Sequence, residues 1–456
     1  MDALKVITVI SAAPWSALLM VRPRILTTMV IFLSLFQLSW FTRYSGAPAV
    51  LNRASLALAG LLGIRLALDF ALKRNTRIPK LTILNPVLLL TCFFIALTIS
   101  SNLYNGESMV LGIYELRYYF YGFVTCFGLY FYFFDTLTLT FFKKAMIWFG
   151  LIQIPFSIIK WLALGSSGRQ LSLDSVTGTF GGYGELTACQ IFTISIVLFE
   201  ELSSQKKIIR LNNYPLCFLL LVPLLLSSAA TATVFLALSV GFVWYLSALY
   251  QKNAAIIVKQ AIMAFFTGIV CLTLLYVFFW QSNYDLNKMF NPTYVVNYFM
   301  ADPVTDYRLY LQGADPRMGR ARAIVEAVKL IFDNPINAIF GYGSGSTAEA
   351  SSFNTSGQLF QKVGPLAGLG RNHYSKTIAE LGLLGLGGFI VFFVTLYIRI
   401  KHFSAASDIK NSLSLLLFTL FLLSTYALTL TSFFFSFTLA FFLATAQAEL
   451  DRSSHA

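Results

Sequence analysis

The sequence predicts an all-α polytopic membrane protein of about twelve transmembrane helices, with one large outer loop before the tenth. Three observations carry that prediction. First, the 456 residues are 57% hydrophobic and only 12% charged, with a mean hydropathy of +0.71. A soluble domain holds roughly a quarter of its residues as Asp, Glu, Lys and Arg, so half of the ordinary charge is missing. Second, apolar runs of about 20 residues, the length that crosses a hydrocarbon core, recur along the whole chain. Third, the basic residues sit in short loops between those runs.

The runs fall at approximately 25–41, 49–72, 83–100, 110–134, 145–164, 186–200, 214–227, 230–250, 256–280, 373–398, 412–428 and 431–447. Residues 6–20 are apolar, contain Pro14 and lack a cleavage site, which reads as an interfacial or re-entrant segment and not as a signal peptide. Lys73, Arg74, Arg77 and Lys80 lie between the second and third runs, and Lys143 and Lys144 follow the fourth. Lys206, Lys207 and Arg210 follow the sixth, Lys252 the eighth, and Arg399, Lys401 and Lys410 the tenth. The opposite short loops offer only Arg43 and Arg169. Every second loop is basic, which places both termini in the cytoplasm. The net charge of +13 is therefore a topology signal and gives no ground for nucleic-acid binding. The five cysteines, Cys92, Cys126, Cys189, Cys217 and Cys271, all lie in apolar runs, so neither a disulfide framework nor a thiol metal site is indicated.

Three segments follow from this layout: a bundle of nine spans over 1–280, an outer loop over 281–372, and the last three spans with a cytoplasmic tail over 373–456. Within the outer loop, Ile324, Val325, Val328, Ile331 and Phe332 form an apolar stripe at helical spacing, and Asn334-Pro335 stops that helix. A second outer loop, 165–185, is glycine-rich and reads as irregular.

Chemistry concentrates at the outer side. Arg317, Arg320 and Arg322 open the amphipathic helix, where topology does not require positive charge; guanidinium forks suit diphosphate because they bind oxygens bidentately and stay ionised. A solvated basic face is the plain alternative. The stretch "IFGYGSGS" (339–346) lacks the Gly-Lys-Ser/Thr of a P-loop and reads as a turn leaving a helix. His373, one of three histidines, stands beside Arg371 and Asn372 at the mouth of the tenth run. An imidazole ordinarily titrates near neutrality and can take a proton from a sugar hydroxyl. Glu380, two helical turns deeper, is expected to pair with Lys376, and the glycines 382, 385, 387 and 388 to permit close helix packing. In the fourth run, Glu115 and Arg117 either pair with each other or leave Arg117 for phosphate. Arg65 and Asp69 of the second run read as structural.

Three stretches together resemble the O-antigen ligase and polymerase superfamily of bacterial inner membranes. "VTGTFGGYGELTA" (176–188) looks like its Gly-Thr-Phe segment, "GRARAIVEAVKLIFDNPINAIFGYGSG" (319–345) its Gly-Arg, amphipathic helix, Asn-Pro and Gly-x-Gly pattern, and "RNHYSKTIAELGLLG" (371–385) its His-Asn-x-Tyr…Glu-x-Gly-x-x-Gly pattern. The resemblance implies a periplasmic-face glycosyltransferase that needs neither metal nor cofactor. Its donor would be an undecaprenyl-diphosphate-linked glycan and its acceptor a glycan or lipid A-core. Membrane lipids surround it, and proteins of the polysaccharide export pathway are its implied partners. Arg320 matches the family's loop arginine. The family's histidine position, counted back from Glu380, holds Arg371, with His373 displaced by two residues, and the arginine often found near the eighth run is replaced by "SSAATATVF".

These readings combine into a polymerase of lipid-linked repeat units, with a ligase as the near alternative and a lipid-linked-sugar transporter or flippase as the remoter one. His373 removes the acceptor proton while Arg320 and Arg371 stabilise the departing diphosphate. Arg117, Arg169, Arg317, Arg322, Asn372, Tyr374 and Glu380 complete the expected substrate contacts.

Overall fold

The computed structural model of the chain describes residues 19–36, 54–72, 83–166, 176–180, 183–202, 213–227, 230–250, 258, 262, 292–302, 318–350, 355–363, 368–370, 372–401, 407–425 and 432–455. Helix dominates. The helices are α1 (Pro23–Leu35), α2 (Ala54–Ala71), α3 (Leu84–Asn105), α4 (Met109–Phe133), α5 (Leu139–Ser166), α6 (Tyr183–Leu202), α7 (Asn213–Leu226) and α8 (Ala230–Tyr250). Then come α9 (Pro292–Met300), α10 (Arg320–Ile331), α11 (Pro335–Phe340), the strands β1 (Glu349–Ala350) and β2 (Thr355–Ser356), and α12 (Gln358–Val363). The chain closes with α13 (His373–Lys401), α14 (Ser407–Ser424) and α15 (Phe433–His455). Among the described residues, α2, α3, α5, α13 and α15 are long and apolar enough to cross a membrane. Shorter apolar helices coincide with the first, seventh and eighth runs, and the ninth run, 256–280, lies almost wholly outside the described residues.

Two compact units divide the chain. The first comprises Met1–Thr91, Arg117–Phe142 and Ser432–Ala456. Pro23 opens α1, where a missing amide costs nothing, and α1 packs on α2 and α15. Polar groups near the end of α15 fasten this unit: Gln447 accepts from the Ile83 amide at 2.8 Å, Glu449 from the Leu139 amide at 2.6 Å, and Asp451 from the Tyr130 hydroxyl at 2.6 Å. Arg65 forks onto Asp69 at 2.9 and 3.0 Å, and Tyr132 donates to the same carboxylate at 2.8 Å, which gives both charged residues a structural role.

The second unit comprises Cys92–Leu116 and Lys143–Thr431. At its centre, α6 is buried all round and packs on α7, α8 and α14. Lys143 of α5 pairs with Glu200 of α6 in the interior. The Gly-Thr-Phe stretch forms a buried turn. Thr179 donates its amide to Gln153 of α5 at 2.8 Å, Lys160 donates to the Thr177 hydroxyl, and a Cβ on Gly178 would stand 2.3 Å from Gln153 Oε1. The glycine there, at φ +58°, is a requirement of both conformation and space.

Helix α10 covers the expected amphipathic stretch, but its buried face is not the expected stripe. Ala323, Ala327 and Ile331 are buried with Met318, Leu359, Leu369, Ile378 and Ala379, and Ile324 and Val328 pack beside them, whereas Val325 and Phe332 are exposed. Small alanines bring α10 close to α13, so the larger side chains flank the seam. Asn334 ends the segment by accepting from the Ile336 amide at 3.0 Å, which caps α11.

Gly382 departs from the expectation. It sits at φ +64°, ψ −159° and breaks α13 instead of merely lining a close contact. A break in an apolar helix frees backbone groups that must find partners. They do: the Ala379 carbonyl accepts from the Tyr342 amide at 2.9 Å, and the Glu380 carbonyl from the Gly343 amide at 3.0 Å. The loop after α11 comes so near that a Cβ on Gly341 would lie 2.4 Å from the Glu380 carbonyl carbon, and one on Gly382 2.5 Å from the Ile339 oxygen. Two glycines facing each other thus make the joint. Gly388 does serve packing, since a Cβ there would meet the Phe93 ring of α3 at 2.3 Å.

Candidate functional site

The joint in α13 organises a buried polar cluster. Three α3 side chains hold the glycine loop. Ser101 donates to the Phe340 carbonyl at 2.7 Å, Asn105 to the Gly341 carbonyl at 3.0 Å, and Asn102 both donates to the Ser344 carbonyl at 3.1 Å and accepts from its amide at 2.6 Å. Glu107 accepts from the Gln358 amide at 2.9 Å at the start of α12. "IFGYGSGS" is therefore a structural turn, as read, with Gly341, Gly343 and Gly345 all at positive φ.

Next to this loop lie the charges of α13. Lys376 pairs with Glu115 of α4 at 2.6 Å, and both side chains are about nine-tenths buried. Glu380 accepts instead from Thr347, at 2.5 Å from the hydroxyl and 3.4 Å from the amide, within Coulombic range of Lys376 and Glu115. This corrects two expectations. Glu380 makes its hydrogen bonds with Thr347, and Lys376 reaches a helix 261 positions earlier in sequence. Glu115 takes its charge partner from α13, because a buried carboxylate is stabilised only by an opposite charge in good geometry. Arg117 lies over the Tyr118 ring at 4.2 Å and donates to its hydroxyl at 2.7 Å, a cation–π arrangement.

At the head of α13, Asn372 joins two helices. Its Oδ1 accepts from the Ser375 amide at 2.8 Å, capping α13, and its Nδ2 donates to the Arg320 carbonyl at 2.8 Å. The starts of α10 and α13 are thereby held together, and with them Arg320 and His373. Gly319 caps α10 without any side-chain bond. Two helix N-termini, each carrying the positive end of a helix dipole, thus stand side by side.

The expected site residues fare differently. Arg320 is 5% exposed and His373 1%. The His373 ring lies on Phe389 with centroids 5.0 Å apart, its Nε2 is 3.5 Å from the Thr377 hydroxyl, and its Nδ1 has no hydrogen-bond partner among the described residues. Asn372 uses both ends of its side chain within the protein. Tyr374 donates to the Phe421 carbonyl of α14 at 3.1 Å. Arg322 occupies the outer face of α10, pairing with Asp302 and Glu326 at 3.1 Å each. Such exposed pairs contribute about 0–1 kcal/mol. Arg169, Arg317 and Arg371 lie outside the described residues. Residue-type reasoning missed Thr347, Asn102 and Glu107; for Asn102 and Glu107 the signal was polarity just past the third apolar run. Comparison with protein-family models gives no match, and comparison with curated protein sequences gives none.

Proposed function

We propose that the chain is a glycosyltransferase of the inner membrane that polymerises undecaprenyl-diphosphate-linked oligosaccharides at the periplasmic face. The observation that carries the reading is the juncture at Asn372, where Arg320 and His373 stand at the adjoining N-termini of α10 and α13. The donor's diphosphate sits at that positive juncture, with the Arg320 guanidinium bidentate on its oxygens. An acceptor sugar hydroxyl attacks the anomeric carbon, its proton passes to His373, and the diphosphate leaves on the lipid. Preorganised positive charge acts where negative charge develops. Buried Glu115, Lys376 and Glu380 keep the first turns of α13 in place.

In this reading the chain crosses the membrane twelve times with both termini in the cytoplasm and residues 281–372 outside. External labelling of a cysteine introduced at Ser351, and not of one at Ser204, tests that orientation; the reverse pattern rejects it. The activity is tested with purified protein and a lipid-diphosphate-linked oligosaccharide. Longer lipid-linked chains mean polymerase, transfer to lipid A-core means ligase, and movement of unchanged donor across the bilayer means transporter. The break at Gly382 is the observation that favours a transporter, since broken helices build their ion sites. Against it, the freed carbonyls are occupied by the amides of Tyr342 and Gly343.

A further inference from the structure

We propose that α11, with the end of α10, is a re-entrant anchor that sinks into the outer leaflet of the bilayer, so that part of the outer loop touches acyl chains. The inference rests on the preceding reading for its orientation, with residues 281–372 outside, and on no step of the chemistry.

Depth is read from α3, which is long and apolar enough to cross a membrane. Its 22 residues extend for roughly 33 Å at 1.5 Å per residue, a little more than the ~30 Å of a hydrocarbon core. Its last turn therefore stands at the outer boundary of that core, and α11 is fastened to that turn. Asn105, the final residue of α3, donates to the Gly341 carbonyl at 3.0 Å, and Ser101, one turn deeper, donates to the Phe340 carbonyl at 2.7 Å. Large apolar side chains face outward at this level, with Leu103 of α3 67% and Ile113 of α4 69% exposed. On its other side α11 meets the break in α13, where the Ile339 oxygen leaves no room for a Cβ on Gly382. Leu383 and Leu384, the next two residues of that apolar helix, are exposed.

Between these two spans the outer segment turns apolar side chains outward. Phe332, Ile336 and Ile339 are 61%, 39% and 46% exposed. Ile336 and Ile339, three residues apart, share one face of α11, while Asn337 and Ala338 are buried in the protein. This apolar face continues the surface that α3 and α13 offer to lipid, and that continuity selects acyl chains as the occupant. The polar neighbours Asp333 and Asn334, also exposed, keep to the headgroup level. Irregular backbone at membrane depth is tolerated only where its polar groups are satisfied within the protein. Here the Phe340 and Gly341 carbonyls are held by Ser101 and Asn105, and the Tyr342 and Gly343 amides by the Ala379 and Glu380 carbonyls. A short element seated about 5–10 Å into the headgroup–acyl boundary is an interfacial anchor. Because α10 leads directly into α11, the anchor fixes α10, and through Asn372 the head of α13, relative to the bilayer.

The test uses full-length protein in lipid nanodiscs, with Cys92→Ala and Cys271→Ala to remove background labelling. An environment-sensitive fluorophore is attached to a cysteine introduced in place of Ile336 or Ile339, or of exposed Lys362 on α12 as the aqueous control. Fluorescence at the two isoleucine positions should be quenched by phosphatidylcholine carrying a doxyl group near the headgroup end of its acyl chain, and iodide should quench it several-fold less than at Lys362. Iodide quenching equal to that at Lys362 would place the face in water and overturn the proposal. Shielding from both quenchers, the result if a partner protein or a second copy covers the face, would overturn it too. Unsubstituted protein gives a second reading: a water-soluble carbene probe should modify α12 and spare Ile336 and Ile339, and modification of the isoleucines would overturn the anchor. The enzymatic reading fails separately, since lipid quenching without glycan lengthening rejects the transferase alone, and lengthening with aqueous quenching rejects the anchor alone.

Discussion

Replacing Lys376 by methionine removes the cation paired with Glu115 and leaves that carboxylate near Glu380 without this ion pair. At the observed 2.6 Å separation, Coulomb's law with an effective dielectric of about 20 gives a gross attraction of roughly 6 kcal/mol. Desolvation of both ions offsets part of this in the native protein, and deletion of one buried partner costs about 3–5 kcal/mol net. The pair Lys376→Met with Glu115→Leu removes the attraction and the desolvation together, so it should recover most of the loss and leave stability within ~1 kcal/mol of wild type or above it. The assay is equilibrium unfolding in mixed micelles of purified single and double variants, read as a double-mutant cycle. A single-variant cost below about 1 kcal/mol, the value of an exposed pair, would refute the claim that this ion pair is buried and integral to α13. So would a double variant as unstable as the single one.

Gly382→Ala and Gly341→Ala each add a Cβ within 2.6 Å of backbone at a positive φ; each should cost ~3 kcal/mol or more or abolish accumulation, whereas Gly387→Ala, with nothing within 4 Å, should be neutral or stabilising by up to ~1 kcal/mol. Thermal unfolding in detergent separates these outcomes. Asn372→Ala should cost about 1–2 kcal/mol through loss of the cap, and Asn372→Asp should restore the cap while still lacking the donor to Arg320, so the aspartate variant should regain stability more than donor affinity in a lipid-binding titration. Arg320→Lys should weaken donor binding and turnover in a gel-based chain-length assay, because a point charge does not reproduce a bidentate fork; full activity in Arg320→Ala would remove that residue from the site.

How much of this was legible in the sequence depends on the range of the forces involved. Apolar runs located α3, α5 and α13 because burying a backbone in hydrocarbon demands a long uninterrupted helix. The Asn-Pro stop and the amphipathic period located α10. What remained hidden was relational. Gly382 stands in "ELGLLGLGG", where any of four glycines suits packing, and only the approach of Gly341 from the outer loop makes it a break. Lys376 has Glu380 one turn away, yet it takes Glu115, 261 residues distant in sequence, since local spacing says nothing of which helix arrives alongside. His373 reads from sequence as a loop residue at a membrane surface; packing of Phe389 beneath it and α10 beside Asn372 buries it. Val325 and Phe332 fit the helical period but face outward, because the tight seam with α13 admits alanines.

The central claim, glycosyl transfer with His373 as base, is tested most directly by the initial rate of glycan lengthening by purified His373→Ala and wild type on the same lipid-diphosphate-linked oligosaccharide, with donor binding measured in parallel. The account predicts lengthening by the wild type and a rate lower by about 10²–10⁴-fold in the variant, with donor affinity retained. An unchanged rate in His373→Ala, or no lengthening by folded wild type, would contradict it.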